Sequence, residues 1–252
     1  MPHLTIEHWL SRLNGLSVTP LTEEGCALLR DALGHASNVV AARAAQRMAA
    51  SGCGDFIPAL AARGLALLGK PAEADKTCRA KEAIVLALEA LDNRSDAVYR
   101  AGVRHVQMEP VYGGRADTAA NLRGHCARAL ARIHARDVHF VLQQLLLDPE
   151  MPARLGAVLG LAHLGDERAE LLLRLKAQLG DDDPGVLGAV FTALLAIEPD
   201  REVPFVADFL RETESFRAEQ AALALGESRL ESAFHALRDC WTHLVDFAFR
   251  NP

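Results

Sequence analysis

Aromatic side chains are scarce in this chain of 252 residues: 5% of positions, with two Trp and two Tyr. A β-sandwich would draw on Thr, Ile and Tyr for its pleated faces, so that class is disfavoured. The five cysteines (Cys26, Cys53, Cys78, Cys126, Cys240) include no CxxC pair. Their odd count and wide spacing argue against a disulfide framework or zinc site, and for buried free thiols in a reducing compartment. No run reaches the roughly 18–20 apolar residues that a membrane span needs. Residues 1–20 lack the basic start and continuous apolar core of a secretory signal. A soluble, cytoplasmic protein is expected. Phosphate-cradling glycine loops, a nucleophile elbow and a Cys/His catalytic signature are missing too. Neither HExxH nor any His-Glu pair occurs, and only His235, Asp239 and His243 have a spacing compatible with a metal. The expectation is no catalytic residue, no metal and no cofactor.

What is present is Ala, Leu and Val in a helical rhythm, within a chain that is 50% hydrophobic. That mixture suits close-packed helices. The net charge of −6 is uneven: −1 over residues 1–93, +4 over 94–139 and −9 over 140–252.

Self-similarity organises the chain. The stretches CRAKEAIVLALEAL (78–91), LRGHCARALARI (122–133), ARLGAVLGLAHLGD (153–166) and FRAEQAALALGE (216–227) align on Arg79, Arg123, Arg154 and Arg217. VLGAVFTALLAI (186–197) keeps the pattern with Leu187 in place of Arg, and NVVAARAAQRMAASG (38–52) is a weaker copy. A period near 31 emerges, with one copy lengthened. A second amphipathic stretch follows each copy, so the unit is helix, short turn, helix. Asp and Pro in DPEMPAR and DDDPGV suit helix starts, as do Thr19-Pro20 with Glu23 and Glu24. Gly165-Asp166 and Gly226-Glu227 suit helix-to-helix turns. The repeated Arg is expected to join neighbouring repeats through Asp or carbonyl partners.

These features, Asp-Pro starts, Val/Ala-Arg, Ala four residues on and a terminal Leu-Gly-Asp, resemble the HEAT-like repeats, especially the short kind of the phycobilin lyases. The resemblance covers roughly residues 36–241. It implies an all-α fold: an α-solenoid of about six stacked helix–turn–helix repeats in one domain over 1–252, with cap helices in 1–35, repeats over 36–227 and a C-terminal capping helix over 228–252. On that last helix Phe234, Leu237, Trp241, Leu244 and Ala248 share a face and are expected to close the core.

One segment breaks the rhythm. Met108–Asp117 reads as a long irregular loop between a helix ending near Gln107 and one capped by Asp117 or Thr118. Around it gather Arg104, His105, Glu109, Tyr112, Arg115 and Asp117, the mixed chemistry of a binding loop. The competing reading is an ordered plug whose Val111 and Tyr112 cover a neighbouring repeat. On the following helix Arg128, Arg132 and Arg136 share a flank with His125, either an anion patch or a solvated face.

The expected function is a non-enzymatic scaffold. It binds a charged protein or peptide through the concave face that solenoids present and through the 108–117 loop, with Arg128 and Arg132 adding charge. A monomer is favoured. Two alternatives come from the resemblance: a DNA-binding, glycosylase-like protein, disfavoured by the acidic balance and few aromatics, and an accessory protein like the bilin lyases.

Overall fold

The computed structural model describes residues 5–212 and 215–250, with side chains described through Thr242. Fourteen α-helices and one short β-hairpin occur among the described residues. The chain divides into two compact units, the first ending at Ala135 and the second beginning at Arg136. Each is a helical repeat array.

In the first unit α1 (Ile6–Gly15), α3 (Asn38–Ser51), α5 (Arg79–Ala90) and α7 (Ala120–Arg132) pack in sequence as one layer. Behind them α2 (Glu23–Gly34), α4 (Ile57–Leu68) and the short α6 (Ala97–Gly102) form a second. In the second unit α9 (Met151–Leu164), α11 (Pro184–Ile197) and α13 (Phe216–Ser228) pack consecutively. There α8 (Val138–Leu145) lies against α10 (Glu167–Leu179), and α12 (Pro199–Asp208) against α14 (Glu231–Arg250). Small residues let the layers approach closely. Val40, Ala41, Ala44, Ala45 and Met48 of α3 are buried, opposite Ala80, Ile84, Val85 and Leu88 of α5. A Cβ on Gly102 would sit 2.5 Å from Cys126 Sγ, so the contact of α6 with α7 requires glycine.

Boundary chemistry follows the sequence with some shifts. Asp183 caps α11 by accepting from Gly185 and Val186 N–H. The second helix is capped by Thr22, which accepts from Gly25 N–H, so it starts after the Thr19-Pro20 pair. Gly165 takes the left-handed position at the end of α9 (φ 61°). Gly226 does not; it lies inside α13, and Arg229 carries the left-handed residue instead (φ 55°).

The repeated cation sits elsewhere than the sequence alignment put it in one copy. Arg79 is exposed, whereas Lys81 is buried at 1%. Buried apolar residues stand three, four and seven positions after Lys81 (Ile84, Val85, Leu88), after Arg123 (Cys126, Ala127, Leu130), after Arg154 (Ala157, Val158, Leu161) and after Leu187 (Val190, Phe191, Leu194). Lys81, not Arg79, is therefore the equivalent residue. The intervals from Lys81 to Arg123, Arg154, Leu187 and Arg217 are 42, 31, 33 and 30 residues. An Asp precedes each of the first four positions by six: Asp75, Asp117, Asp148 and Asp181.

The C-terminal helix also differs. Its buried side is Ala233, with Ala236, Leu237 and Cys240 half-buried, whereas Phe234 and Trp241 are 61% and 70% exposed. The helix packs against α12 and α13. The expected core-closing face is thus rotated, and the side chains of Leu244 and Ala248 lie outside the described residues.

Candidate functional site: a rooted hairpin

The lengthened copy contains a β-hairpin and not an irregular loop. Strand β1 (Met108–Val111) pairs antiparallel with β2 (Gly114–Asp117), Met108 opposite Asp117 and Val111 opposite Gly114. Tyr112 and Gly113 make the two-residue turn, and Gly113 takes a left-handed conformation (φ 85°). A residue without Cβ meets that need at no steric cost. The preceding helix, α6, ends at Gly102, five residues earlier than the sequence implied.

The base of the hairpin is fixed by a buried polar network. Asp75 accepts from the main-chain N–H groups of Ala80 and Lys81, each at 2.9 Å, and from Asn38 Nδ2 at 3.1 Å. Lys81 Nζ donates to Gln107 Oε1 at 2.5 Å and lies 4.0 Å from Asp75. Gln107 Nε2 donates back to the Asp75 carbonyl at 2.9 Å and to Glu109 Oε1 at 2.5 Å. Glu109 Oε1 also accepts from Thr77 N–H (2.7 Å) and Thr118 Oγ1 (3.0 Å). Partial burial would raise the Glu109 carboxyl, but these donors hold it below its usual value. Two consecutive left-handed residues, Thr77 (φ 59°) and Cys78 (φ 53°), bring the Thr77 N–H to that carboxylate. Burial pushes the Cys78 thiol up to about 11, which makes it unreactive at neutral pH.

Asp117 anchors the other strand. Its Oδ1 accepts from Gln107 N–H (2.9 Å) and Ala119 N–H (3.0 Å), and Oδ2 pairs with Arg123 at 2.6 Å. The last of these ties Arg123 to the strand that leads into its own helix, and Arg123 also donates to the His105 carbonyl at 2.9 Å. In the second unit Arg154 makes the contact between repeats expected of the repeated Arg, with Asp181 at 2.7 Å and Asp182 at 2.5 Å in the turn before α11, and it donates to the carbonyls of Asp148 and Pro149 at 3.0 Å. Arg217 pairs with Glu212 at 3.0 Å and lies over the Phe209 ring.

The sequence-derived site residues therefore separate into two groups. Glu109 and Asp117 belong to the root, with their hydrogen bonds directed inward. His105 is half-buried there, its Nε2 3.3 Å from Gln107 Oε1; burial first, then Lys81 and Arg123, holds its pKa down. Tyr112 at the tip is fully exposed, and Arg104 and Arg115 are exposed as well. Val106 and Met108, which sequence reasoning had not named, and Val111 add 60%, 42% and 48% exposed apolar side chains. The full exposure of Tyr112 weighs against the competing plug reading, in which Val111 and Tyr112 cover a neighbouring repeat.

The Arg flank is largely compensated. Arg132 pairs with Asp92 at 2.9 Å and with Glu89 at 3.9 Å. Arg128 lies 2.8 Å from His125 Nδ1; burial first, and then that guanidinium, lowers the imidazole pKa. Arg136 falls beyond the end of α7. Among the described residues no group of three or more His, Cys, Asp or Glu could hold a metal ion, and no helix is long and apolar enough to cross a membrane.

No protein-family model matches the chain, and no curated protein matches it. Solved structures do match in outline. An engineered protein from a structural-genomics consortium is similar over 92% of this chain at 17% identity, with a TM-score of 0.43. The match spans 66% of that protein's own length. Human deoxyhypusine hydroxylase, solved in complex with glycerol, is similar over 91% of this chain and 81% of its own, at 18% identity and a TM-score of 0.32.

Proposed function

We propose that this protein is a non-enzymatic interaction module whose hairpin is its contact element for a charged protein or peptide. The observation that carries the reading is the division of labour within ten residues. The base of the hairpin is locked by Glu109, Asp117 and the Gln107–Lys81–Asp75 network, while Tyr112 at the tip is fully exposed and Val111 beside it is 48% exposed. A rigid root under an exposed aromatic tip lowers the entropy lost on binding, and Tyr is among the side chains that dominate interfaces. Exposed Arg104 and Arg115 add positive charge in the one segment whose net charge is positive, which favours an acidic partner. The stacked helix pairs add the extended surface that repeat arrays offer to a partner.

The test compares the wild type with Tyr112→Ala and Val111→Ser in affinity capture from native lysate, alongside thermal unfolding. Both side chains are exposed, so unfolding temperatures should match the wild type, while a specific partner is lost or weakened by tenfold or more. Equal capture by all three proteins would sink the reading.

A further inference from the structure

The two edges of the hairpin are not equivalent. Thr118 N–H donates to the Gln107 carbonyl at 2.9 Å, which makes those residues a hydrogen-bonded pair. Given the register from Met108–Asp117 to Val111–Gly114, alternation makes 109/116 and 111/114 bonded pairs too. Met108 and Pro110 on β1, and Arg115 and Asp117 on β2, therefore turn their main-chain groups away from the partner strand. On β1 this outer edge is blunted. Pro110 has no N–H to offer, and the Met108 carbonyl already accepts from the Arg115 guanidinium at 2.8 Å. On β2 the main-chain N–H groups of Arg115 and Asp117 and the Arg115 carbonyl meet no partner among the described residues. Gly114, Arg115 and Ala116 are all exposed. An open edge of this kind is a template for another chain.

We infer that the outer edge of β2 is a strand-addition site that takes an extended acidic peptide, pairing it with the main chain of Arg115 and Asp117. This rests on the hairpin being the contact element, and it specifies what the hairpin receives. The acidic character follows from the net positive charge of residues 94–139 and from exposed Arg104 and Arg115, the latter exchanging its bond to the Met108 carbonyl for a carboxylate of the peptide. A second copy of the chain suits the edge poorly, because β2 against β2 would bring two Arg115 guanidinia together.

A displayed library of random linear peptides selected on the full chain supplies the probe: the selected peptide, made synthetically. Arg115→Pro removes the outward N–H but no bond of the hairpin's own ladder, whereas Arg115→Ala keeps the N–H and removes the charge. The expected result has four parts. Selected peptides are rich in Asp, Glu and β-branched residues. Arg115→Pro weakens binding more than tenfold. Arg115→Ala weakens it a few-fold and reduces its salt dependence. In the wild type, amide exchange slows at Arg115 and Asp117 when the peptide binds, a readout independent of whether the proline variant folds. The inference is overturned if selection yields no binder, if the proline variant binds normally, or if exchange slows only elsewhere. Binding lost in Tyr112→Ala but kept in Arg115→Pro would retain the hairpin tip as a contact element and remove strand addition. Concentration-dependent dimerisation abolished by Arg115→Pro would assign the edge to a second copy and overturn the peptide assignment.

Discussion

Lys81 and Arg154 show how much one side chain carries in a repeat array. Each is nearly sealed from water and each joins an Asp-bearing turn to its own helix. Removing one member of a buried ion pair leaves the other charge uncompensated, typically about 3–5 kcal/mol. Lys176 stays 2.7 Å from Asp181, so Arg154→Met is expected near the lower end, about 3 kcal/mol by urea unfolding. A loss below about 1 kcal/mol would show that Lys176 alone compensates Asp181. The role of Arg154 was legible in the sequence, because an Asp-rich turn opens the next repeat and supplies its partners. The identity of Lys81 was not. Aligning by residue type picks Arg79, two positions away and on the solvent side of α5, whereas aligning by the buried face three, four and seven residues on picks Lys81. The fixed spacing of six from Asp75 was the signal that could have found it.

Among the elements, the helices were readable because apolar faces recur at helical period over a dozen residues or more. The hairpin was hidden because its strands are four residues long, contain Pro110 and Gly114, and hold one β-branched residue, Val111. Strand propensity is nearly absent there. What makes the hairpin is the Tyr112-Gly113 turn together with the polar root, and the partners in that root, Asp75 and Lys81, lie more than 20 residues away. Asp117→Asn keeps the shape of that anchor but weakens its pairing with Arg123. It is expected to cost about 1–3 kcal/mol, read by thermal unfolding, and to reduce peptide binding by loosening the strand. Unchanged stability would mean that the hairpin stands without its anchor. The junction of α6 with α7 is equally local. Gly102→Ala drives a methyl group into Cys126 and is expected to cost about 1–3 kcal/mol. Gly102→Ala combined with Cys126→Ala should recover part of that loss, since the second change removes the atom being struck. No recovery would place the strain elsewhere.

At the scale of the whole molecule, each unit holds one carboxyl group that titrates near neutrality. Burial first, then Asp75, raises Glu82 to about 7. Burial first, then Glu170, raises Glu202 to about 7, against the opposing charge of Arg174. The geometry agrees: Glu202 Oε2 is buried without a donor, while Oε1 accepts from Arg174 at 2.8 Å, and Arg201 pairs with Glu170. A carboxyl raised in the folded state contributes stability that is complete below its unfolded value, near 4.5, and is lost as pH rises through about 7. His105 and His125, held down by burial, act in the opposite sense below about 6.5. The carboxyl contribution is therefore expected to fall between about pH 4.5 and about 7, and the drop in unfolding temperature over that range should be smaller in the Glu82→Gln, Glu202→Gln double variant. Parallel curves for the two proteins would refute this.

Leu187 gives the second unit an uneven stiffness along its length. The step from α9 to α11 is clasped by Arg154 across to Asp181 and Asp182. At the next step the same position is a leucine, so α11 and α13 pack together without that clasp. A clasp resists sliding; packing without one permits it. Pulled from its C-terminus, the unit should yield first between α11 and α13, at low force and over a short distance, before the clasped step gives way. Leu187 thus sets the order in which the array comes apart, much as an unglued seam decides where a binding opens.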